Sequence, residues 1–482
     1  MRVIIYASLL LALTACVAPG QAAPEPDVPP EAPAPPPAQP GAAPGFDSGL
    51  LLSAWNAQER RHEIRRVDSA SGQDAPGYAP IVLGDYRLYD TPYAFSRDGQ
   101  QLAVAAGHGE VCEPYAGGTR CMTSADILHL IDLSGWREVK ATLSGKGWTG
   151  PLAFSPDGAR LALVYNERGS SRLWLFDADS GKTLAQGALT FAPTLLAYTQ
   201  DGTGLVTYGT PPGAKPGMTE PGPPRALLID VATLEVEWEQ TLEGVISGDW
   251  CLENCEATHG AQVFTFWTPA VVLSPDGRQL YIVHADADRL TTVNFEARSV
   301  RTVEIDAAQT WFERLLALTA DTAQAKGPVE GASKAAVLAP DGKRLYVVGR
   351  SVDSPRDANG AWEFREDFLG LQVIDVDNGR QVAHQEGRAA GIKISPDGAT
   401  LMLAGWGETA PWTDVLDAAT LRRVRRLTGW ETAALRQLNG RPVVLASQPG
   451  EKATQLVLLD GESFEVIQAW SVQGFGRWVT GP

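Results

Sequence analysis

Between residues 50 and 480 the chain alternates short apolar runs with polar turn clusters, and one cluster recurs. Its clearest copy is Ser155-Pro156-Asp157-Gly158, preceded by Ala153-Phe154 and followed by Leu161-Ala162-Leu163-Val164. Variants stand at Ser96-Arg97-Asp98-Gly99, Thr199-Gln200-Asp201-Gly202, Ser274-Pro275-Asp276-Gly277, Ala339-Pro340-Asp341-Gly342 and Ser395-Pro396-Asp397-Gly398, with a worn copy at Gln437-Leu438-Asn439-Gly440. Proline presets φ at the second turn position, a hydroxyl at the first can bond the local backbone, and glycine accepts positive φ at the fourth. Each copy therefore predicts a tight reversal between two antiparallel strands. After a variable loop comes a third strand that closes on an acid, as in Leu173-Trp174-Leu175-Phe176-Asp177, then a short turn and a fourth strand. Matching third strands end at Asp68, Asp132, Asp230, Asp375, Asp417 and Asp460, and a weaker one carries Asn294. Trp174, Trp238 and Trp470 lie within strands and are expected in the core.

Four-stranded antiparallel units in series predict an all-β chain folded as a β-propeller. The Ser-Pro-Asp-Gly turn with its apolar strand, and the later strand closing on Asp, resemble the WD-repeat-like and YVTN-type propeller repeats of bacteria. That resemblance covers about residues 50 to 480 and implies fold far more than function. The Trp-Asp dipeptide of true WD repeats is missing. The first unit, Leu50 to Val67, lacks a first strand, and the apolar segment 475–480 is left over after the last complete unit. Eight blades are expected, with the C-terminal strand completing the first and closing the ring; seven, with one weak unit absorbed as a loop, is the alternative.

The N-terminal end changes the picture of where this ring works. Arg2, an apolar run Val3–Leu13 too short to span a bilayer, and Leu13-Thr14-Ala15-Cys16 resemble the signal and lipobox of bacterial lipoproteins. The resemblance implies that residues 1–15 are removed and that Cys16 is lipidated. Anchoring would then be extracytoplasmic, at the outer membrane of a diderm cell or the outer leaflet of the cell membrane otherwise. Residues 16–46 hold eleven prolines and read as a semi-rigid tether ahead of the propeller domain, 47–482. Four further cysteines in an exported chain favour disulfides, paired locally as Cys112 with Cys121 and Cys251 with Cys255, over a zinc site. The net charge of −17 argues against a nucleic-acid partner.

Strand parity sorts the connections onto two faces. The first-to-second and third-to-fourth turns share one face and are short throughout. The opposite face receives the long segments 107–125, 209–225, 244–269, 306–334 and 350–370. Long loops on a rigid scaffold are where binding resides, although neutral insertions would look the same. Candidate contacts in or beside them are His108, Glu110, Tyr115, Trp148, Trp250, His259, Trp267, Trp311, Trp362, Trp406 and Trp412, since exposed aromatics are common in recognition surfaces. No histidine pair has metal-site spacing, and neither a nucleophile elbow nor a phosphate loop occurs. Asp286-Ala287-Asp288 suits either a calcium contact or a solvated loop. No catalytic residue, metal or cofactor is therefore assigned. The expected function is a binding scaffold for a protein, peptide or glycan. The alternatives are a propeller enzyme similar to lactonases or quinoprotein dehydrogenases, in which His108, Glu110 and His259 would be examined first, and an envelope assembly lipoprotein.

Overall fold

In the computed structural model, residues from Leu50 to Thr480 are described except for several segments, chiefly 85–91, 212–219, 254–262, 307–328 and 354–364. The expected signal and tether, with Cys16, lie outside the described residues.

The recurring turn forms as its chemistry dictates. In the copy at Ser155, the Gly158 amide donates to the Ser155 carbonyl at 2.9 Å, and the Arg160 amide donates to the Ser155 hydroxyl oxygen at 2.9 Å. Asp157 accepts the Ser155 hydroxyl and the Ala159 amide, so both side chains bond within the turn. Gly158 has φ +73°, and the last residue of the other copies falls between +70° and +75°, which favours glycine. The third-to-fourth turn is equally regular. Asp177 accepts the Ser180 amide and hydroxyl, Asp230 those of Thr233, and Asp417 those of Thr420.

These turns build antiparallel sheets arranged in chain order, each running from an inner to an outer strand. Typical is the third sheet: Trp148–Phe154, Arg160–Glu167, Ser170–Asp177 and Thr183–Leu189. Its second strand is apolar on both faces because both are covered. Leu161, Leu163 and Tyr165 pack toward Leu128 and Leu130 of the second sheet, whereas Ala162 and Val164 pack toward Leu205 and Leu227 of the fourth. Each fully buried leucine or valine contributes about 1.5–3 kcal/mol relative to exposure. The core is thus distributed between sheets. Trp174 lies there, as expected.

The chain folds as a β-propeller, and its C-terminal strand completes the first sheet. The order is Ile81–Gly84, Arg61–Val67, Leu50–Asn56, Gly476–Val479, with Leu51 opposite Val479 and Ser53 opposite Arg477. Trp478 packs into the cluster shared with the last sheet, and Val479 into the one shared with the second. Seven sheets have the four-stranded form, the number given above as the alternative, so the expectation of eight such blades is corrected. Of the two other sheets among the described residues, one is a two-stranded hairpin and one, standing in the ring between the sheets that hold Ser299–Glu304 and Gly391–Ile394, carries seven strands. The reason is that parts of the long segments expected as loops are themselves strands.

Candidate functional site

The seven-stranded sheet is where the long-loop face becomes ordered structure. Its inner strand, Val329–Leu338, and its second strand, Arg344–Asp353, are ten residues each and run past the ring. The extension of the second strand pairs with Arg365–Phe368, with Ser351 opposite Asp367. On the other side, Val263–Thr268 pairs parallel to the start of the inner strand, placing Phe266 opposite Gly331, and Gly248–Glu253 pairs antiparallel to that. Two connections separated in sequence by a whole blade thus meet in one sheet. Five residues of extension rise about 16 Å at the usual strand spacing. The seam needs a glycine, because a Cβ at Gly331 would lie 2.0 Å from the Phe266 carbonyl oxygen. Arg350 and Glu366 pair at 2.6 Å across the outer side.

Below this extension lies the loop holding Asp286-Ala287-Asp288. Lys334, on the inner strand, donates to the Ala287 carbonyl at 3.1 Å and sits 3.6 Å from Asp288. Burial lowers the lysine's pKa and the nearby Asp288 opposes that. His284 shares a 2.7 Å hydrogen bond with the Thr291 hydroxyl, which in turn bonds Thr302 at 2.8 Å. Burial first, and Arg289 second, lower the His284 pKa to about 4, so the ring is neutral at pH 7. This lysine therefore serves the loop as an internal cation. Among the described residues no group of three or more His, Cys, Asp and Glu gathers as a metal site.

The candidate contacts are dispersed. Trp250 is buried in the added hairpin, whereas Trp267 is half-buried on its second strand. Trp148 is half-buried at the start of an inner strand. Trp406 is 64% exposed, and Trp412 next to it is half-buried, stacked under Arg426 with the guanidinium carbon 4.6 Å from the ring centroid. Asp414 grips the same arginine through both oxygens, at 2.7 and 2.6 Å, so Trp412 is held in place by its own sheet. Glu110 and Tyr115 fall on a separate two-stranded hairpin, Glu110–Tyr115 with Gly118–Thr123. In it Cys112 stands opposite Cys121. Cys251 is buried, while Cys255 lies outside the described residues. His108, His259, Trp311 and Trp362 also lie outside them.

The structure adds features that the sequence reading missed. Lys334 is one; its place in an apolar strand, facing an Asp-rich loop, was a visible signal. Another is a groove of about 380 Å³ on the short-turn face, between Asp201, Glu237, Asp276, Arg278 and Glu296, so that face is not blank.

No family model and no curated protein matches the chain. Solved structures match at the level of fold. The dihydro-heme d1 dehydrogenase NirN, solved in complex with DHE, superposes with a TM-score of 0.50 at 14% identity, over 89% of this chain and 75% of its own. A prolyl endopeptidase gives 0.47 at 14% identity over 80% of this chain and 50% of its own. The β-propeller domain of Myceliophteria thermophila Cps50 (Swd1) gives 0.38 at 15% identity over 79% of this chain and 96% of its own. At these identities the likeness is one of fold alone: a β-propeller whose structural neighbours include enzymes.

Proposed function

We propose that the protein is a lipid-anchored, extracytoplasmic propeller that binds a protein, peptide or glycan through its long-loop face. The observation that carries this reading is the one-sided growth of the seven-stranded sheet. Regular sheet rising from that face gives a rigid platform, and rigid platforms lower the entropy cost of binding. On the described part of that face Trp406 is exposed, and Trp267, on the added sheet, is half-buried. Lipidation at Cys16 and the proline-rich tether would hold the ring at a distance from the membrane. We infer in addition that Cys112 bonds Cys121 and that Cys251 bonds Cys255, each pair bracing an insertion of that face.

Crosslinking in the native membrane, followed by partner identification and measurement of Kd, tests the proposal. Trp267→Ala and Trp406→Ala together should weaken the captured partner's binding at least tenfold. An unchanged Kd would place recognition elsewhere. Metabolic labelling with palmitate should mark the wild-type chain and leave Cys16→Ser unmarked; equal labelling defeats the anchor.

A further inference from the structure

The channel side of the ring carries an arrangement that propeller geometry does not require. Lys393, Arg436 and Arg477 stand on three consecutive innermost strands, Gly391–Ile394, Glu431–Leu438 and Gly476–Val479, and Tyr93 on the next, Tyr93–Phe95. Two of the cations reach across to the neighbouring sheet. Lys393 Nζ donates to the Thr432 carbonyl at 2.9 Å, and the Arg477 guanidinium carbon lies 5.4 Å from the centroid of the Tyr93 ring.

Register shows how far these residues depart from the repeat. Lys393 stands two residues before its turn serine, where the other copies carry Ala94, Ala153, Ala197, Val272 and Val337. Although Gln437 opens the worn turn, by strand register Arg436 holds the place of the turn hydroxyl. It pairs with Val443, which pairs with Asp460, as Ser155 bonds Arg160, which pairs with Asp177. Elsewhere the ring forms with a small apolar side chain at the first position and, apart from Ala339, a hydroxyl at the second. At its other copies the repeat therefore forms without either charge.

Lys393 has a solvent-exposed side chain, yet burial lowers its pKa, with Arg436 adding to the effect and Glu431 opposing it. Arg436 is likewise shifted down by burial and partly restored by Tyr93. The first sheet stands between those two residues in the ring, so their interaction runs through the channel. The carboxylate beside Lys393 is Glu431, whose own pKa burial raises. In a chain of net charge −17, cations thus gather on one arc of the channel.

We propose that this arc of Lys393, Arg436 and Arg477, bracketing Tyr93, is a binding site for a small anion carrying carboxylate or phosphate groups. Guanidinium forks match either group in two-point hydrogen bonds, and the ammonium supplies a third charge. Tyr93 offers a flat side and a hydroxyl to the remainder of the ligand. The site is separate from the long-loop platform and does not depend on it.

The test is isothermal titration of the full chain, in detergent at fixed ionic strength, with inorganic phosphate and with citrate. Lys393→Ala and Arg436→Ser are the informative variants, because other copies of the repeat already carry those residues there. Wild type should bind at least one anion saturably, and each variant should bind it about tenfold or more weakly, a loss of roughly 1.4 kcal/mol. Arg425→Ala, on the outer strand Arg423–Thr428, should bind as wild type does. Phosphate alone binding assigns a phosphate ligand, and citrate alone a carboxylate one. Absence of saturable binding by both, or binding that survives either substitution, overturns the proposal. If a variant fails to fold, amide exchange of the wild type decides. Anion-dependent protection within Gly391–Ile394 and Glu431–Leu438 supports the site, and protection elsewhere only, or none, refutes it.

Discussion

Replacing Trp478 by alanine tests whether the C-terminal strand holds the ring closed. Trp478 is 3% exposed and packs among Leu445, Leu456 and Leu458 of the last sheet while its backbone pairs with Leu52 of the first. Its indole N–H donates to the Ala446 carbonyl at 3.0 Å, and its ring meets Trp470 edge-on with centroids 5.1 Å apart. Truncating a buried aromatic to alanine costs about 3–5 kcal/mol through lost transfer energy and the cavity left behind. The edge-on pair accounts for about 0.5–1.5 kcal/mol of that and the unpaired carbonyl for roughly 1 kcal/mol. A fall of about 4 kcal/mol is therefore expected, measured as the shift in urea midpoint at unchanged slope. Trp406→Ala is the control, since that side chain is 64% exposed and its loss should stay within about 0.5 kcal/mol. Removal of residues 474–482 should exceed the single substitution, because the first sheet then loses its innermost strand. If Trp478→Ala cost less than about 1 kcal/mol, the seam would carry no stability and the closure argument would fail.

Further outcomes follow from the same contacts. The turn acids Asp157, Asp177, Asp201, Asp397 and Asp417 are shifted down chiefly by the Ser or Thr hydroxyl that each accepts. Depressed carboxyl values contribute stability that is complete above the unfolded value near 3.8 and lost as pH falls through the folded values, so urea midpoints should drop steeply below about pH 4. His62 and His284 are both held near a pKa of about 4, by burial first and a neighbouring arginine second. The unfolded chain takes up protons first, so stability should decline from pH 6.5 toward 4, by up to about 3 kcal/mol per histidine. His62→Gln should flatten that slope, and an unchanged slope would refute the assignment. Lys334→Met leaves the Ala287 carbonyl without its ammonium donor and should cost about 1–3 kcal/mol in urea unfolding; no change would show the lysine to be incidental.

Residues within one hairpin could be read from the sequence because their chemistry is local. Ser155, Asp157 and Gly158 close their turn with their own atoms, and Asp177 caps the next one with Ser180, so strand order and repeat were legible before any contact was known. The unpaired first unit also made the role of the last strand readable by counting. Distant pairing was not legible. Nothing in Val263–Thr268 announces that it will lie parallel to Val329–Leu338, because parallel pairing has no turn to mark it, and so the uniform blade count failed there. The fourth residue after the strand-ending acid was missed for a related reason. Leu234, Leu421 and Phe464 adopt φ between +57° and +59°, which glycine would tolerate better, yet their side chains pack into clusters shared with neighbouring sheets. Burial across the sheet interface offsets a strain of about 1–2 kcal/mol that local sequence rules would forbid. Trp250, expected as a contact, is instead buried within the added hairpin. By itself the sequence determined the repeat, the turns and the two unlike faces, since each depends on contacts a few residues apart. Tertiary structure alone decided which long segments became sheet, which aromatics stayed accessible and which cations share the channel, since those depend on pairings and distances that close only when the ring does.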